Sequence, residues 1–144
     1  MTQPLFHLAF PVANLDDTKA FYVDGLGCET GRETPSCIIL NLQGHQIVAH
    51  MAPGLDLKPQ GSIYPRHFGL IFDQEADWEN LLNRAQQQQL RFYQKPKVRF
   101  LGSILEHRTF FLEDPFYNIL EFKFYRHPES IFGAKDQQQV GDRP

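Results

Sequence analysis

The chain has 144 residues, 42 % of them hydrophobic and 13 % aromatic, which suffices for one packed domain. Its formal net charge of −3 offers no basic surface for nucleic acid, and no apolar run approaches the roughly 18–20 residues that cross a membrane. The N-terminus lacks a signal-peptide pattern, and Cys28 and Cys37 show no metal or redox spacing, so we expect a cytoplasmic protein with reduced thiols.

The first part of the chain predicts a strand, a helix and a hairpin. Residues 5–12 alternate large apolar side chains with His7 and its neighbours, as a half-buried strand does. Asn14 is a suitable cap for the helix that follows, and two glycines end that helix. Residues 36–42 and 46–51 are typical of short strands joined by a turn.

The pattern restarts after a segment rich in glycine and proline. We interpret residues 53–64 as a linker, because they show no periodicity. A strand with His67 near its start, an amphipathic helix and three strands are then predicted at residues 66–72, 76–89, 90–100, 103–113 and 118–125. Residues 126–144 form a polar tail that we expect to fray.

The order of strand, helix and three strands is therefore predicted twice. His7 and His67 take matching places in the two copies, and His50 and Glu121 lie near the two ends. We predict an α+β fold within residues 1–125, in which two βαβββ modules, residues 1–52 and 65–125, form curved mixed sheets around a shared metal-binding cleft. The alternative for each histidine is an ordinary strand residue satisfied by the backbone.

Glu121 is the residue around which we expect the site to form. It follows a turn set by Asp114-Pro115 and alternates with Leu120 and Phe122 on the opposite strand face. A carboxylate among apolar neighbours is costly unless a partner compensates its charge. The pattern therefore indicates that other polar groups, or a metal ion, meet Glu121.

Four segments resemble the vicinal oxygen chelate superfamily, which includes glyoxalase I, extradiol dioxygenases, fosfomycin-resistance proteins and bleomycin-binding proteins. The segments are Phe6-His-Leu-Ala-Phe-Pro-Val12, Phe21-Tyr-Val-Asp-Gly-Leu-Gly27, Arg66-His-Phe-Gly-Leu70 and Phe111-Leu-Glu-Asp-Pro-Phe-Tyr-Asn-Ile-Leu-Glu-Phe122. Tyr117 stands where the family usually has glycine. Within the superfamily, the combination of Gly44-His-Gln-Ile-Val-Ala-His50 with Arg66-His-Phe-Gly69 looks most similar to a group of small predicted extradiol-type dioxygenases.

The resemblance implies that His7, His67 and Glu121 are metal ligands. Two histidines and one carboxylate suit Fe(II) oxygenases, because they leave positions open for substrate and O₂. Mn(II), Ni(II) and Zn(II) are the alternative metals. His50 corresponds either to a fourth ligand, as in glyoxalase I, or to an acid–base group, as in extradiol enzymes.

One departure from the extradiol pattern concerns the residue ten positions before the carboxylate ligand. Those enzymes usually carry a tyrosine there, whereas this chain has Phe111, which cannot donate a hydrogen bond. His107 lies on the same strand face by alternation and is a candidate replacement. Arg108 and Lys123 are interpreted as surface charges, with anchoring of an anionic substrate as the alternative.

These observations favour an extradiol-type, metal-dependent dioxygenase that acts on a catechol-like or other vicinal-oxygen small molecule. The alternatives are a glyoxalase-type isomerase or lyase and a small-molecule-binding protein of the resistance type. The resemblance also implies a homodimer, since relatives often pair and sometimes exchange modules. Neither nucleic acid nor a membrane is an expected partner.

Overall fold

A computed structural model describes residues 3–143 of the chain. The first half contains β1, α1, β2, β3 and β4 at His7–Val12, Leu15–Lys19, Glu29–Thr34, Cys37–Leu42 and His45–Met51. The second half contains β5, α2, β6, β7 and β8 at Phe68–Phe72, Glu75–Gln87, Phe92–Arg99, His107–Glu113 and Ile119–Tyr125. Helix α1 continues as a π-helical segment at Ala20–Gly25, and a short 3₁₀ helix lies at Pro128–Ser130.

The eight strands form two four-stranded mixed sheets, ordered β1-β4-β3-β2 and β5-β8-β7-β6. In each sheet the first strand of a module pairs in parallel with its last strand, and the other pairs are antiparallel. The predicted α+β fold of two βαβββ modules is confirmed. Sequence periodicity did not locate β2, because all six of its residues are exposed and no apolar alternation marks it.

The larger of two hydrophobic clusters joins the two modules. It contains the inward residues of both sheets and the apolar side of α2. The rings of Phe10 in β1 and Phe68 in β5 are 5.5 Å apart, so the two first strands meet in this core. Trp78 of α2 is fully buried and donates its indole N–H to the Phe122 carbonyl oxygen at 2.8 Å. The helix is therefore fixed against one face of the second sheet, and the other face is left for a site.

The turn before β8 has the geometry that its sequence predicts. One oxygen of Asp114 accepts hydrogen bonds from the amides of Phe116 and Asn118, at 2.8 and 2.9 Å. Tyr117 has a φ of 69°, a left-handed conformation that ordinarily favours glycine. Glycine adopts this conformation without strain, and the bonds to Asp114 hold the turn with tyrosine present.

Residues after β8 turn back over the second sheet. The open face, meaning the face of the second sheet turned away from α2, carries the odd-numbered residues of β7 and β8. The amide of Asp142 donates to the hydroxyl oxygen of Tyr64 at 2.7 Å, so the polar tail lies against this half of the molecule where fraying was expected. No helix within residues 3–143 is long and apolar enough to cross a membrane.

Candidate metal centre

His67 and Glu121 form a close pair on the open face. His67 directly precedes β5, Glu121 lies in β8, and these strands are parallel neighbours in which Gly69 is the register partner of Glu121. A Cβ atom at residue 69 would overlap the carbonyl oxygen of Glu121. Glycine is thus required for the two strands to approach this closely beside the pair.

The two nitrogens of the His67 ring have different partners. Nδ1 lies 2.7 Å from the carbonyl oxygen of Ile63, and because a carbonyl oxygen only accepts, Nδ1 carries a proton. Nε2 lies 3.1 Å from Oε1 of Glu121. In neutral His67, Nε2 is an acceptor facing a carboxylate acceptor, so a cation or a second proton has to lie between them. The side-chain chemistry fits a divalent metal bound by these two atoms.

Without a metal, a proton lies between Nε2 of His67 and Oε1 of Glu121. The hydrogen bond to Glu121 raises the pKa of His67 and outweighs burial, which acts in the opposite direction. Burial alone would raise the pKa of Glu121, but hydrogen bonds from His67 and Thr109 and the charge of Lys123 outweigh it, and the pKa of Glu121 is lowered. The pair therefore binds positive charge between its two facing atoms.

Thr109 fixes the orientation of Glu121. Its hydroxyl donates to Oε2 of Glu121 at 2.6 Å, and both side chains are buried. Oε1 is left to face His67, with Nζ of Lys123 3.8 Å away. Sequence reasoning did not select Thr109, although alternation placed it on the same face as His107 and Phe111.

The structure places His7 apart from this pair. It begins β1 in the first sheet and is exposed, and its Nδ1 lies 2.8 Å from the amide oxygen of Gln46. Within residues 3–143 of one chain, no three His, Cys, Asp or Glu side chains are grouped closely enough to hold a metal ion. One chain therefore brings together two of the three predicted ligands, His67 and Glu121.

The two predicted acid–base residues lie in different environments. His50 is exposed on β4, where it is the register partner of Pro11 and lies on the same face of the first sheet as His7. His107 is buried on β7, donates Nδ1–H to the Leu105 carbonyl oxygen at 2.9 Å and stacks on Tyr125. Its Nε2 has no hydrogen-bond partner among the described residues. Burial lowers the pKa of His107, so its ring is neutral over a wide pH range.

Aromatic side chains and two cavities lie near the pair. The ring of Phe111 meets that of His67 edge-on at 5.3 Å, and the ring of Tyr64 lies 6.3 Å from it. A cavity of about 180 Å³ opens beside His67 toward β1, and another of about 220 Å³ lies between the tail and the sheet beside Lys123. Space for a small molecule is therefore present next to the pair.

Arg108 and Lys123 lie on opposite faces of the second sheet. Arg108 faces α2, where it pairs with Glu75 and Glu79 and lies over the Trp78 ring at 4.1 Å. Lys123 lies on the open face next to Glu121. Of these two cations, Lys123 is the one that a molecule bound at the pair would meet.

Comparison with known proteins identifies the family. The Glyoxalase/Bleomycin resistance protein/Dioxygenase superfamily matches residues 5–122, and the chain belongs to this superfamily, which is also called the vicinal oxygen chelate superfamily. No curated protein sequence matched the chain.

Solved structures of the superfamily share the fold. A glyoxalase/bleomycin resistance protein/dioxygenase from Alicyclobacillus acidocaldarius is 41 % identical, with a TM-score of 0.84 over 92 % of this chain and 100 % of that one. The fosfomycin resistance protein FosX from Listeria monocytogenes is 18 % identical, with a TM-score of 0.67 over 90 % of this chain and 98 % of that one. A variant of FosX crystallised with Mn(II) and 1S,2S-dihydroxypropylphosphonic acid is 15 % identical, with a TM-score of 0.61 over 88 % and 92 % of the two chains.

Proposed function

We propose that this protein is a metal-dependent enzyme whose metal is held by His67, Glu121 and His7, with His7 supplied by a second copy of the chain. The observation that carries this proposal is that Nε2 of His67 lies 3.1 Å from Oε1 of Glu121. The other ring nitrogen, Nδ1, donates its hydrogen bond to the carbonyl oxygen of Ile63. Such an arrangement is characteristic of a histidine prepared for a metal.

His7 is prepared in the same way. The amide oxygen of Gln46 accepts from Nδ1, so the exposed Nε2 presents its lone pair to the surroundings. Because His7 lies apart from His67 and Glu121 in its own chain, it is available to a metal held by the same pair in a neighbouring chain. Exchange of modules between two copies, as in some superfamily members, would complete this site in a symmetric homodimer.

In this site the metal would act as a Lewis acid toward two adjacent oxygens of a small substrate. Fe(II) is the metal we propose, and Mn(II), Ni(II) and Zn(II) are the alternatives. Thr109 holds Glu121 in place by donating to its second oxygen. His50 shares a strand face with His7, so a partner chain that supplies one also brings the other near. We assign the proton transfer to His50, with the buried Nε2 of His107 as the second candidate.

An extradiol-type dioxygenase is the reaction class we propose first, because three ligands leave positions open for a diol and O₂. The second candidate is a glyoxalase-type isomerase or lyase. One observation favours this second candidate. Phe111 lies against His67 at the place of the usual tyrosine and offers no proton, and isomerisation does not require a donor at that position.

Metal analysis tests the site. The protein is purified under anaerobic conditions, and its metal content is measured for the parent, His67→Gln and Glu121→Gln. We expect about one metal per chain in the parent, because the site has one ligand set per chain, and a loss in both variants. His127→Gln and Glu33→Gln change exposed side chains and serve as matched controls. Equal metal content in all five proteins would contradict the ligand assignment.

Oxygen uptake tests the reaction class. With ferrous iron bound, a dioxygenase consumes O₂ in the presence of one member of a catechol panel, and it loses this activity when air oxidises the iron. Turnover of a hemithioacetal with Ni(II) or Zn(II), without oxygen uptake from any diol, would instead support the isomerase. Fosfomycin is included in the panel because structural relatives are fosfomycin resistance proteins.

A further inference from the structure

The tail places a carboxylate on a buried arginine. Arg99 ends β6, and its side chain is only 6 % exposed. Its Nη2 donates to Oδ2 of Asp142 at 3.0 Å, and Nζ of Lys97 lies 3.9 Å from the same oxygen. Two cations of one strand therefore meet a single carboxylate that comes from the end of the chain.

The contact with Asp142 leaves one buried hydrogen-bond donor of Arg99 without a partner among the described residues. Its Nε is buried and has no hydrogen-bond partner among residues 3–143. A free carboxylate binds arginine through two parallel hydrogen bonds, and Nε with Nη2 is one edge that offers them. Asp142 engages one donor of that edge. A ligand carboxylate that is not tethered to the tail can engage both.

A glycine allows the tail to come this close. Gly141 has a φ of 59°, and a Cβ there would lie 2.5 Å from the hydroxyl of Tyr64 and 3.2 Å from Nη1 of Arg99. The next amide, that of Asp142, donates to the Tyr64 hydroxyl oxygen. An alanine at this position would displace the tail from Arg99 without changing any charge.

The arginine lies close to the proposed metal centre. Its guanidinium carbon is 5.7 Å from the centre of the Phe111 ring, and the ring of His67 lies 5.3 Å from the same ring. Tyr64 forms a second connection, since its ring lies 6.3 Å from that of His67 and its hydroxyl contacts the tail. A small molecule held by its oxygens at His67 and Glu121 can therefore direct another group across these aromatic rings to Arg99.

We propose that Arg99, with Lys97, forms a carboxylate-binding subsite of the substrate pocket and that Asp142 occupies it until a substrate carboxylate displaces the tail. The inference rests on the proposed function, because it extends the site at His67 and Glu121. It specifies the substrate as a small aromatic or apolar molecule that bears a carboxylate.

Binding of benzoate to the metal-free, full-length protein tests this subsite by titration calorimetry, with neutral benzamide as the matched ligand. Removing the charge of the competing side chain in Asp142→Asn should tighten benzoate binding about tenfold, the usual range for a charge-assisted hydrogen bond. Gly141→Ala should tighten it similarly by displacing the tail. Asp136→Asn alters another tail carboxylate, one whose contact is with the adjacent Gln137, and should bind like the parent.

Arg99 is tested in the Asp142→Asn background. Adding Arg99→Gln should weaken benzoate binding at least about tenfold, whereas Lys97→Met, at an exposed side chain, should weaken it less. If the arginine variant fails to fold, the benzoate affinity of the Lys97→Met variant tests the subsite instead. Benzoate binding that is unchanged by Asp142→Asn and Gly141→Ala, unaffected by both cation variants, or equal to benzamide binding overturns the subsite. Because no metal is present, failure here is separate from a failure of metal binding in the parent protein.

Discussion

The hydroxyl of Tyr22 donates a hydrogen bond of 2.7 Å to Oδ2 of Asp114, and this contact joins the helix of the first module to the β7–β8 turn of the second. Both side chains are fully buried. Burial raises the pKa of Tyr22 well above its usual range and also raises that of Asp114, although hydrogen bonds from Tyr22 and Asn118 oppose the change in Asp114. The contact thus ties the turn that leads to Glu121 to the other half of the chain.

Tyr22→Phe should lower the free energy of unfolding by about 1.5–3 kcal/mol, because a buried acceptor loses a charge-assisted donor. Urea unfolding followed by circular dichroism measures the change. Tyr93→Phe is the matched control, since Tyr93 is only partly buried against the smaller hydrophobic cluster, and it should change stability little. A Tyr22 variant as stable as the control would show that the contact contributes nothing.

Thr109→Val should weaken metal binding about 10–100-fold, the usual effect of removing a hydrogen bond that orients a ligand. Valine has nearly the shape of threonine, so the buried space stays filled while Glu121 loses its donor. Competition with a chromogenic chelator measures the affinity. Thr30→Val, on exposed β2, should retain the parent affinity, and a Thr109 variant that also retains it would contradict the orienting role.

Mixing two defective chains tests whether the site is shared between subunits. His7→Ala and Glu121→Gln chains are each expected to lose metal. Co-expressed, they form hybrid dimers in which one of the two sites has all three ligands, so random pairing restores about a quarter of the parent metal content. Hybrid dimers carrying two different tags can be isolated and assayed. A site formed within one chain would give no restoration.

The pH dependence of stability should reveal His107. Burial lowers the pKa of this histidine in the folded state, so the folded state favours the neutral ring. The contribution of neutral His107 to the free energy of unfolding is present above the pKa of the unfolded state, about 6.5. It is lost as the pH falls through the lower pKa of the folded state.

Unfolding free energies measured between pH 7 and pH 5 should therefore fall less steeply in His107→Gln than in the parent. His127→Gln removes an exposed histidine and should keep the parent slope. Slopes that agree in all three proteins would mean that His107 has the same pKa in both states.

Alternation was sufficient to predict most strands and the face on which Glu121 lies. Leu120 and Phe122 enter the core while Glu121 faces away from α2, because a strand directs successive side chains to opposite faces. Strand β2 was not predicted, because both of its faces are exposed and it therefore shows no period-2 alternation of apolar residues.

The arrangement of the site depended on contacts that periodicity does not encode. The matching sequence positions of His7 and His67 predicted equivalent places in two modules, and they do not specify how the modules are oriented. The contact of Asp142 with Arg99 joins residues that are distant in sequence and follow no repeat, so only the folded chain reveals it.

The parallel pairing of β5 with β8 has a consequence for biosynthesis. His67 belongs to the beginning of the second module and Glu121 to its final strand, so the ribosome must release almost the whole module before the two side chains can meet. A nascent chain therefore contains His67 for most of the synthesis of this module before Glu121 is available to pair with it. At the proposed site, metal binding would therefore be a late event, open only to chains whose second module has been synthesised.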